Sequence, residues 1–338
     1  KVGVNHRHLL SADTLNGWRL GVSLQSEISD RKFKPIENYR SVEFTRDWNT
    51  AGITSLDDEV FTNATVSLSK PQKAMVQYST RSYERSTSYH GFMHSVVANW
   101  QPGPLAFSTD AGYLTTTGAV FNSSYLRHRD EVKLRKGRWL PGLRLQQERN
   151  EIRLKGSDTL SASSYSNRTA EAFVMRGDSL TFPLLLSVSR RADDAIARNA
   201  FTLATNADMA SIRSGIHSGG HRIDVQANYR NLTVEDSTRT TIQAEESSSG
   251  RVEYSGTLVK GGVQLSTFYE AGNGQEPRKR ISYIQVAPGT GTYAWKDYNG
   301  DGVPQLNEFE VAAYSDEAGY IRVLTPTDEY EKVFFNQW

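Results

Sequence analysis

The sequence predicts an all-β protein whose strands run antiparallel in up-and-down order. Apolar and polar residues alternate along most of the 338-residue chain, and helical periodicity is nearly absent. Glycines at positions 103, 118, 137, 156 and 177 separate successive runs. Their spacing of roughly 15 to 21 residues suits a strand of about ten residues plus a turn, so we expect about 14 to 16 strands in sequential hairpins.

Each predicted strand has one apolar and one polar side, because successive side chains point to opposite faces. In Gly17–Ile28 the apolar side carries alternate residues, starting with Trp18 and Leu20. In His221–Arg230 the apolar set is Ile223, Val225, Ala227 and Tyr229, and the polar set is Arg222, Asp224, Gln226, Asn228 and Arg230. The other runs, in chain order, are Val60–Ser69, Lys73–Arg81, Phe92–Trp100, Leu105–Tyr113, Phe121–Arg129, Trp139–Arg149, Ala170–Arg176, Leu180–Arg190, Ala200–Ala210, Arg251–Leu258, Val263–Glu270 and Ile281–Val286.

Composition excludes several classes of protein. With 37% hydrophobic residues the chain is not wholly disordered. A formal net charge of +1 gives no global field to recruit nucleic acid, and the absence of cysteine excludes disulfides and thiolate chemistry. No run approaches the ~18 apolar residues of a membrane helix. The chain starts at Lys1 without a signal-peptide pattern, which indicates either a processed chain or, as we favour, a segment of a longer protein.

Two architectures produce this alternation: a soluble β-sandwich and a membrane β-barrel with a polar lumen. The polar sides carry Arg, Gln, Asn, Ser, Thr and Tyr, which is typical of a hydrated lumen. Aromatic residues collect near the ends of runs, as in an interfacial girdle: Trp18, Trp100, Tyr113, Trp139, Phe201 and Tyr229. Both features favour an up-and-down β-barrel of outer-membrane type over residues 1–287. The sandwich stays the alternative.

The segment 288–338 contains a calcium-loop pattern. Residues 297–308 match D-x-[DN]-x-[DN]-G-x5-E at every defined position. The predicted ligands are Asp297, Asn299, Asp301, the carbonyl of Val303, Gln305 through a water, and a bidentate Glu308. Such a loop predicts one structural Ca²⁺ ion. The alternative is a hairpin loop rich in Asn-Gly and Asp-Gly that merely favours turns.

The residues after this loop predict a short helix. Leu306, Phe309 and Ala313 recur at helical spacing, so we expect an exiting helix over Gln305–Tyr314. The entering segment Gly291–Lys296 reads as a strand, which argues against a paired EF-hand. A further strand should follow, with sequence continuing beyond residue 338.

No catalytic pattern emerges, so we expect a non-enzymatic protein. Glu245 and Glu246 are adjacent and would face opposite sides of a strand, unlike a glycosidase pair. No G-x-S-x-G motif is present. Three histidine pairs could hold a metal, but third ligands are not identifiable, and structural or exposed histidines are favoured: His6 with His8, His90 with His94, and His217 with His221.

The last fifth of the chain resembles a segment of very large Bacteroidetes outer-membrane or surface β-proteins. The resemblance is carried by Tyr269-Glu270 through Gln275-Glu276, Tyr293 through Gly302, Glu308-Phe309-Glu310 and Tyr320 through Val323. It implies the bacterial outer membrane or cell surface and a calcium-bound insertion, and suggests comparison with giant barrels such as the type IX secretion translocon.

Together these patterns predict a conduit or surface scaffold in the outer membrane. Its expected partners are outer-membrane lipid and other envelope or surface proteins, with no nucleic acid. The alternative function is that of a soluble, secreted, calcium-stabilised β-sandwich that binds glycan or protein.

Overall fold

The computed structural model describes residues 2–10, 16–33, 40–50, 53, 57–86, 88–176, 182–240, 242–287 and 289–338, in which 17 β-strands occur. The strands are β1 (Val2–Leu9), β2 (Arg19–Ser29), β3 (Glu59–Lys70), β4 (Ala74–Arg85), β5 (Tyr89–Trp100), β6 (Leu105–Gly118), β7 (Phe121–Leu134), β8 (Trp139–Leu154), β9 (Tyr165–Arg176), β10 (Leu184–Ala197), β11 (Ala200–Ser218), β12 (His221–Val234), β13 (Glu245–Leu258), β14 (Val263–Gln285), β15 (Tyr293–Trp295), β16 (Phe309–Val311) and β17 (Tyr320–Gln337). The helices are α1 (Phe44–Asp47) and single 3-10 turns at Val259–Gly261, Leu306–Glu308 and Ser315–Glu317. None of these helices has the length and apolar character needed to cross a membrane.

The chain divides into two compact units. The first covers Lys1–Glu270 together with Trp338, and the second covers Ala271–Gln337. In the first unit, β1 to β13 pair antiparallel, each with the next strand along the chain. The predicted all-β, antiparallel up-and-down fold is therefore confirmed.

Tight turns set the register of these strands. Gly219 and Gly220 join β11 to β12 with φ angles of 59° and 82°, values that L side chains rarely adopt. The turn places Ser218 opposite His221. Since side chains alternate strictly from there, the register decides which residues of β12 share a face.

The strand count exceeds the predicted 14 to 16. Strand β1 was missed because His6, Arg7 and His8 interrupt its alternation. The runs 263–270 and 281–286 were predicted as separate strands but form the single strand β14. The glycines and proline between them, which favour turns in sequence, lie within that strand.

In the second unit, β15 pairs with both β16 and β17, and Trp295 lies opposite Phe309. The predicted helix over Gln305–Tyr314 is wrong: one 3-10 turn is followed directly by β16. Pairing with β15 and a stack of Phe309 on Tyr283, with ring centroids 3.9 Å apart, hold residue 309 in extended backbone. These contacts outweigh a weak helical spacing.

The main buried cluster of the first unit is largely aromatic. It consists of Trp48, Tyr83, Tyr89, Met93, Leu114 and Tyr125. Trp48 comes from the segment between β2 and β3, whereas the others come from β4 to β7. This core therefore lies on one side of the strands, beneath a connecting segment.

Candidate functional site

One side of β2 to β13 is polar from strand to strand. The predicted polar set of β12 shares this side, and Asn228 lies opposite Ser211 on β11 and Ser249 on β13. Following the register across the strands defines the polar face, which includes Gln25, Asn63, Arg81, Ser95, Asp110, Arg127, Glu148, Thr169, Arg191, Ser211, Asn228 and Ser249.

Arginine–carboxylate pairs run across the polar face. Arg144 on β8 bridges Glu131 on β7, at 2.7 Å, and Glu171 on β9, at 2.5 Å. Arg191 pairs with Asp193 two residues along its own strand, at 2.7 Å. Ion pairs at a hydrated surface contribute little stability individually. They do keep the charges of this face compensated within it.

The other side of the same strands is apolar and exposed, and we call it the apolar face. Its side chains retain large accessible fractions, for example 57% at Leu143 and 59% at Val188. Its exposed members include Val22, Leu24, Val66, Leu68, Val76, Leu143, Leu145, Leu186, Val188, Ile212, Ile223, Val225, Tyr229 and Val252. The predicted apolar set of β12 lies here, opposite in direction to its polar set.

Aromatic side chains flank the apolar face on β5 and β6. Trp100 stacks on Phe107 at one end, with ring centroids 5.6 Å apart. Phe92 and Tyr113 lie towards the other end of these two strands. Phe92 and Trp100 are eight residues apart, about 27 Å along a strand. Phe201 differs, because it packs under Arg149 at the β10–β11 turn.

Residues 40–50, which we call the covering segment, lie across the polar face. Trp48 is only 3% exposed. It makes edge-to-face contacts with Tyr83 and Phe61, at centroid distances of 5.5 and 5.8 Å. The Tyr89 hydroxyl donates to the Trp48 carbonyl oxygen. Trp48 is therefore buried in a largely aromatic cluster that lies on the polar face.

Asn49 fixes the covering segment to β7 and β8. Its amide and that of Asn150 exchange two hydrogen bonds, of 2.8 and 2.7 Å. Asn49 also donates to the Ser123 hydroxyl at 2.9 Å. Asn150 is buried, so it depends on these bonds to satisfy its polar atoms.

Charged residues continue this anchorage. Arg46 donates to both carboxylate oxygens of Glu148, at 3.0 and 2.8 Å. Arg127 of β7 donates to Asp47 at 3.0 Å. A hydrogen bond to Tyr165, with Glu43 and Glu148 nearby, raises the pKa of Arg46, while desolvation opposes the rise. The guanidinium stays charged throughout the physiological range.

Arg40 anchors the start of the covering segment. It pairs with Glu27 on β2 at 3.4 Å and with Glu59 on β3 at 3.2 Å, and lies over the Phe44 ring at 4.7 Å. The segment thus contacts strands from β2 to β9. The sequence interpretation missed it; the only available signal was a tryptophan and a phenylalanine between two predicted strands.

The predicted calcium ligands lie in the exposed loop between β15 and β16. Asp297 accepts from the backbone N–H of Gly300 and Gly302, at 2.7 and 2.8 Å. Asn299 accepts from the N–H of Asp301 at 2.9 Å. The φ angle of 70° at Gly302 supplies the sharp turn that the motif predicts.

The far side of the loop is organised by Asp301 and Glu308. Asp301 accepts from the N–H of Val303 at 2.7 Å and from the side-chain amide of Gln305 at 2.8 Å. Glu308, only 1% exposed, accepts from the Trp295 indole at 3.0 Å and from the N–H of Gln305 at 3.2 Å. All six predicted ligand residues therefore lie in one hairpin loop, whose polar groups also bond one another.

Within the described ranges, no three His, Asp or Glu side chains converge in a metal-ligating group. Next to the loop, Lys296 donates to Glu310 at 2.9 Å and Tyr298 donates to the same carboxylate. These two bonds lower the pKa of Glu310, and the bond to Glu310 raises the pKa values of Lys296 and Tyr298.

Histidines and the Glu245–Glu246 dyad take structural partners. His94 bonds the Tyr78 hydroxyl at 2.6 Å, and His221 bonds the Tyr254 hydroxyl at 2.8 Å. Glu245 pairs with Arg230 on the polar face at 3.7 Å, whereas Glu246 accepts from Tyr229 on the apolar face at 3.2 Å. The two carboxylates therefore point to opposite faces, as predicted for neighbours in a strand.

No protein-family model matches the chain, and no curated protein matches it in sequence. The resemblance to large Bacteroidetes envelope proteins stays a prediction. Function is therefore inferred from the two faces of the first unit, the covering segment and the 297–308 loop.

Proposed function

We propose that this chain is all or a large part of an outer-membrane β-barrel, with the apolar face against lipid and the polar face towards a hydrated lumen. Its role would be that of a non-enzymatic conduit or surface scaffold. The observation that carries the proposal is the exposed apolar face, which continues across neighbouring strands and is flanked by aromatic rings on β5 and β6.

Burial energetics support lipid as the environment of this face. Transferring one Val or Leu side chain from water to an apolar environment gains about 1.5 to 3 kcal/mol. Soluble monomers rarely expose a contiguous apolar patch beyond a few hundred Å². A face with more than ten exposed aliphatic side chains is therefore costly in water and favourable in a bilayer.

The alternative, a soluble β-sandwich, requires the apolar face to be buried within the protein. In a sandwich the apolar face is the core, and the outer face is exposed. Among the residues described for the first unit, Leu143 and Val188 on the apolar face are more than half exposed, whereas Tyr83, Tyr125 and Asn150 on the polar face are buried. This distribution favours the barrel.

The polar face and the covering segment support a conduit. Pairs such as Arg144 with Glu131 suit a water-facing wall. The covering segment lies on that wall and is anchored to it by Asn49, Arg46 and Trp48. A segment on the lumen side would occupy part of the cross-section and narrow the path of a solute.

We also propose that the 297–308 loop binds one Ca²⁺ ion as a structural clamp. The donor chemistry fits, since Asp297, Asn299 and Asp301 offer hard oxygen atoms and Val303 a carbonyl. Gly302 already has the left-handed conformation of the turn. Glu308 Oε2 is held by Trp295 and Gln305, which leaves Oε1 as the ligand atom in place of the bidentate pair that the motif predicts. When bound, the ion would neutralise these carboxylates and hold the loop closed.

Membrane fractionation tests the barrel. When membranes from cells that express the chain are washed with urea, the chain should remain in the pellet and should require detergent for release. It should also migrate differently on gels before and after heating. A chain released by urea without detergent, with no heat-dependent migration, would establish the soluble alternative.

A further inference from the structure

The apolar face of β7 to β11 contains a large groove. Its volume is about 1060 Å³, and the aliphatic part of its lining includes Val132, Leu143, Leu145, Ala172 and Val188. Asp130 and the ion pair of Arg190 with Asp208 also line it. Ligand cavities of this size are typical of sites for apolar molecules. In a membrane, the groove would be filled by acyl chains.

A second cavity, of about 340 Å³, lies at the ends of β8 to β11. Arg149, Arg153 and Arg168 line it together with the carboxylates of Glu151 and Asp194. Phe201 is also part of its wall, and the Arg149 guanidinium lies 5.2 Å from the Phe201 ring centroid. We call this the arginine cavity.

The groove and the arginine cavity share one face and are adjacent. Leu145 of the groove lies opposite Ala170 on β9, and the next outward pair is Gln147 opposite Arg168. Arg168 therefore lies one side-chain row, about 7 Å, beyond the groove along β9. An amphiphile with its chains in the groove would place its headgroup at this arginine.

Among the described residues, carboxylates around the arginine cavity pair with Arg149 and Arg153 and leave Arg168 without an acidic partner. Three arginines and two carboxylates line the cavity, and Asp158 pairs with Arg153 at 3.8 Å. Glu151 is shared between Arg149 at 2.5 Å and Arg153 at 3.4 Å, and Asp194 accepts from the Ser166 hydroxyl at 2.7 Å. Arg168 is exposed and makes no ion pair or side-chain hydrogen bond with any residue that the structure describes. Its guanidinium is thus available for an anion.

We propose that the groove and the arginine cavity together bind a phosphorylated lipid. The acyl chains occupy the groove, and Arg168 and Arg149 hold the phosphate. Guanidinium groups bind phosphate through paired, charge-assisted hydrogen bonds. The groove alone accepts any acyl chain, whereas the arginines select a headgroup with negative charge. This inference rests on the proposed membrane location of the apolar face.

Native mass spectrometry of the full chain in detergent micelles tests the site. Three probes separate the two halves of the ligand: dioctanoyl phosphatidic acid, dioctanoylglycerol and inorganic phosphate. We expect retention of phosphatidic acid and little retention of the other two. Arg168→Gln combined with Arg149→Gln should weaken phosphatidic acid binding roughly tenfold or more. Arg168→Lys, which keeps the charge but loses the paired donors, should bind with an affinity between those of the parent chain and the double variant.

The matched control is Arg135→Gln in the β7–β8 turn, where Arg135 donates to Gln101 at 2.6 Å. It should bind phosphatidic acid like the parent chain. The lipid site would be overturned if dioctanoylglycerol or inorganic phosphate bound as well as phosphatidic acid. It would also be overturned if the double variant kept its affinity while still showing heat-modifiable migration. Neither outcome would affect the proposed membrane location. If the parent chain itself shows no heat-modifiable migration, the membrane location on which the site depends is overturned instead.

Discussion

Polar side chains find their partners in opposite ways in the covering segment of the first unit and in the 297–308 loop. In the first unit, Asn49 bonds Asn150 and Arg46 bonds Glu148, over about one hundred residues of sequence. In the loop, Asp297, Asn299 and Asp301 bond groups only two to five residues away. The first arrangement exists only after the strands have assembled, whereas the second can form locally.

This difference predicts where a substitution acts. A change in the covering segment should disturb distant elements, because its contacts reach strands that are far apart in sequence. A change in the loop should disturb the loop alone.

Charge on the apolar face should have the largest effect. Val225→Arg puts a cation on the side proposed to face lipid, which costs about 2 to 4 kcal/mol near the bilayer midplane. Gln226→Arg, one residue along β12 on the polar face, is the matched control and should be tolerated. For each variant in lipid vesicles, the measurement is the urea concentration at which half of the folded, heat-modifiable form has unfolded. Equal tolerance of both variants would contradict the two-faced assignment.

Removing the Asn49 side chain should have the next largest effect. Asn49→Ala leaves the buried Asn150 amide without its partner, which costs about 1 to 3 kcal/mol. Hydrogen exchange of residues 44–50 should therefore accelerate. Glu43→Ala is the control, since Glu43 is exposed and its ion pair with Arg46 at 3.1 Å is local. Unchanged exchange in Asn49→Ala would show that the covering segment is held without these bonds.

Removing calcium should affect only the loop. At ~1 mM Ca²⁺ and a Kd of ~10⁻⁴ to 10⁻³ M, binding stabilises the folded loop by about 0.4 to 1.4 kcal/mol. Chelation should increase proteolysis between residues 297 and 310 and leave the first unit intact. Glu308→Gln should abolish the calcium dependence, and Glu310→Gln should retain it.

Calorimetry supplies the independent check on that loop. Absence of heat on titrating a folded chain with millimolar calcium would refute the clamp. The loop would then be a hairpin turn capped by its own carboxylates, the alternative that its Asn-Gly and Asp-Gly pairs favour.

The smallest effect concerns pH next to the loop. Hydrogen bonds from Lys296 and Tyr298 hold the pKa of Glu310 below its ordinary 4.5. Because the folded pKa is lower than the unfolded one, the stabilisation is fully present above the unfolded value. It is lost as pH falls through the folded value. Lys296→Met should raise the Glu310 midpoint in an NMR titration; an unchanged midpoint would show that the lysine bond has no influence.

Several features of the fold could be predicted from the sequence because they depend on local periodicity. The apolar and polar sets of side chains on β12 follow from strict alternation, and the Gly-Gly turn before this strand fixes its register. The helix predicted after Glu308 failed, because pairing of Phe309 with Trp295 is a contact between strands that spacing within one segment does not show.

The covering segment was beyond reach of sequence reasoning for the same physical reason. Nothing near Asn49 in sequence indicates that its partner is Asn150, or that Trp48 is buried against Tyr83. These contacts require strands β3 to β8 to be paired in register first. The loop ligands are different, since all of them lie within twelve consecutive residues and their spacing is itself the signal.

The most direct test of the membrane assignment uses the lack of cysteine in the chain. Single cysteines introduced at each position from 222 to 230 can carry one spin label each in lipid vesicles. Labels at 223, 225, 227 and 229 should collide mainly with oxygen, which concentrates in lipid. Those at 222, 224, 226, 228 and 230 should collide mainly with a water-soluble nickel complex. Loss of this two-residue alternation, with nickel reaching both sets equally, would contradict a lipid-facing apolar surface.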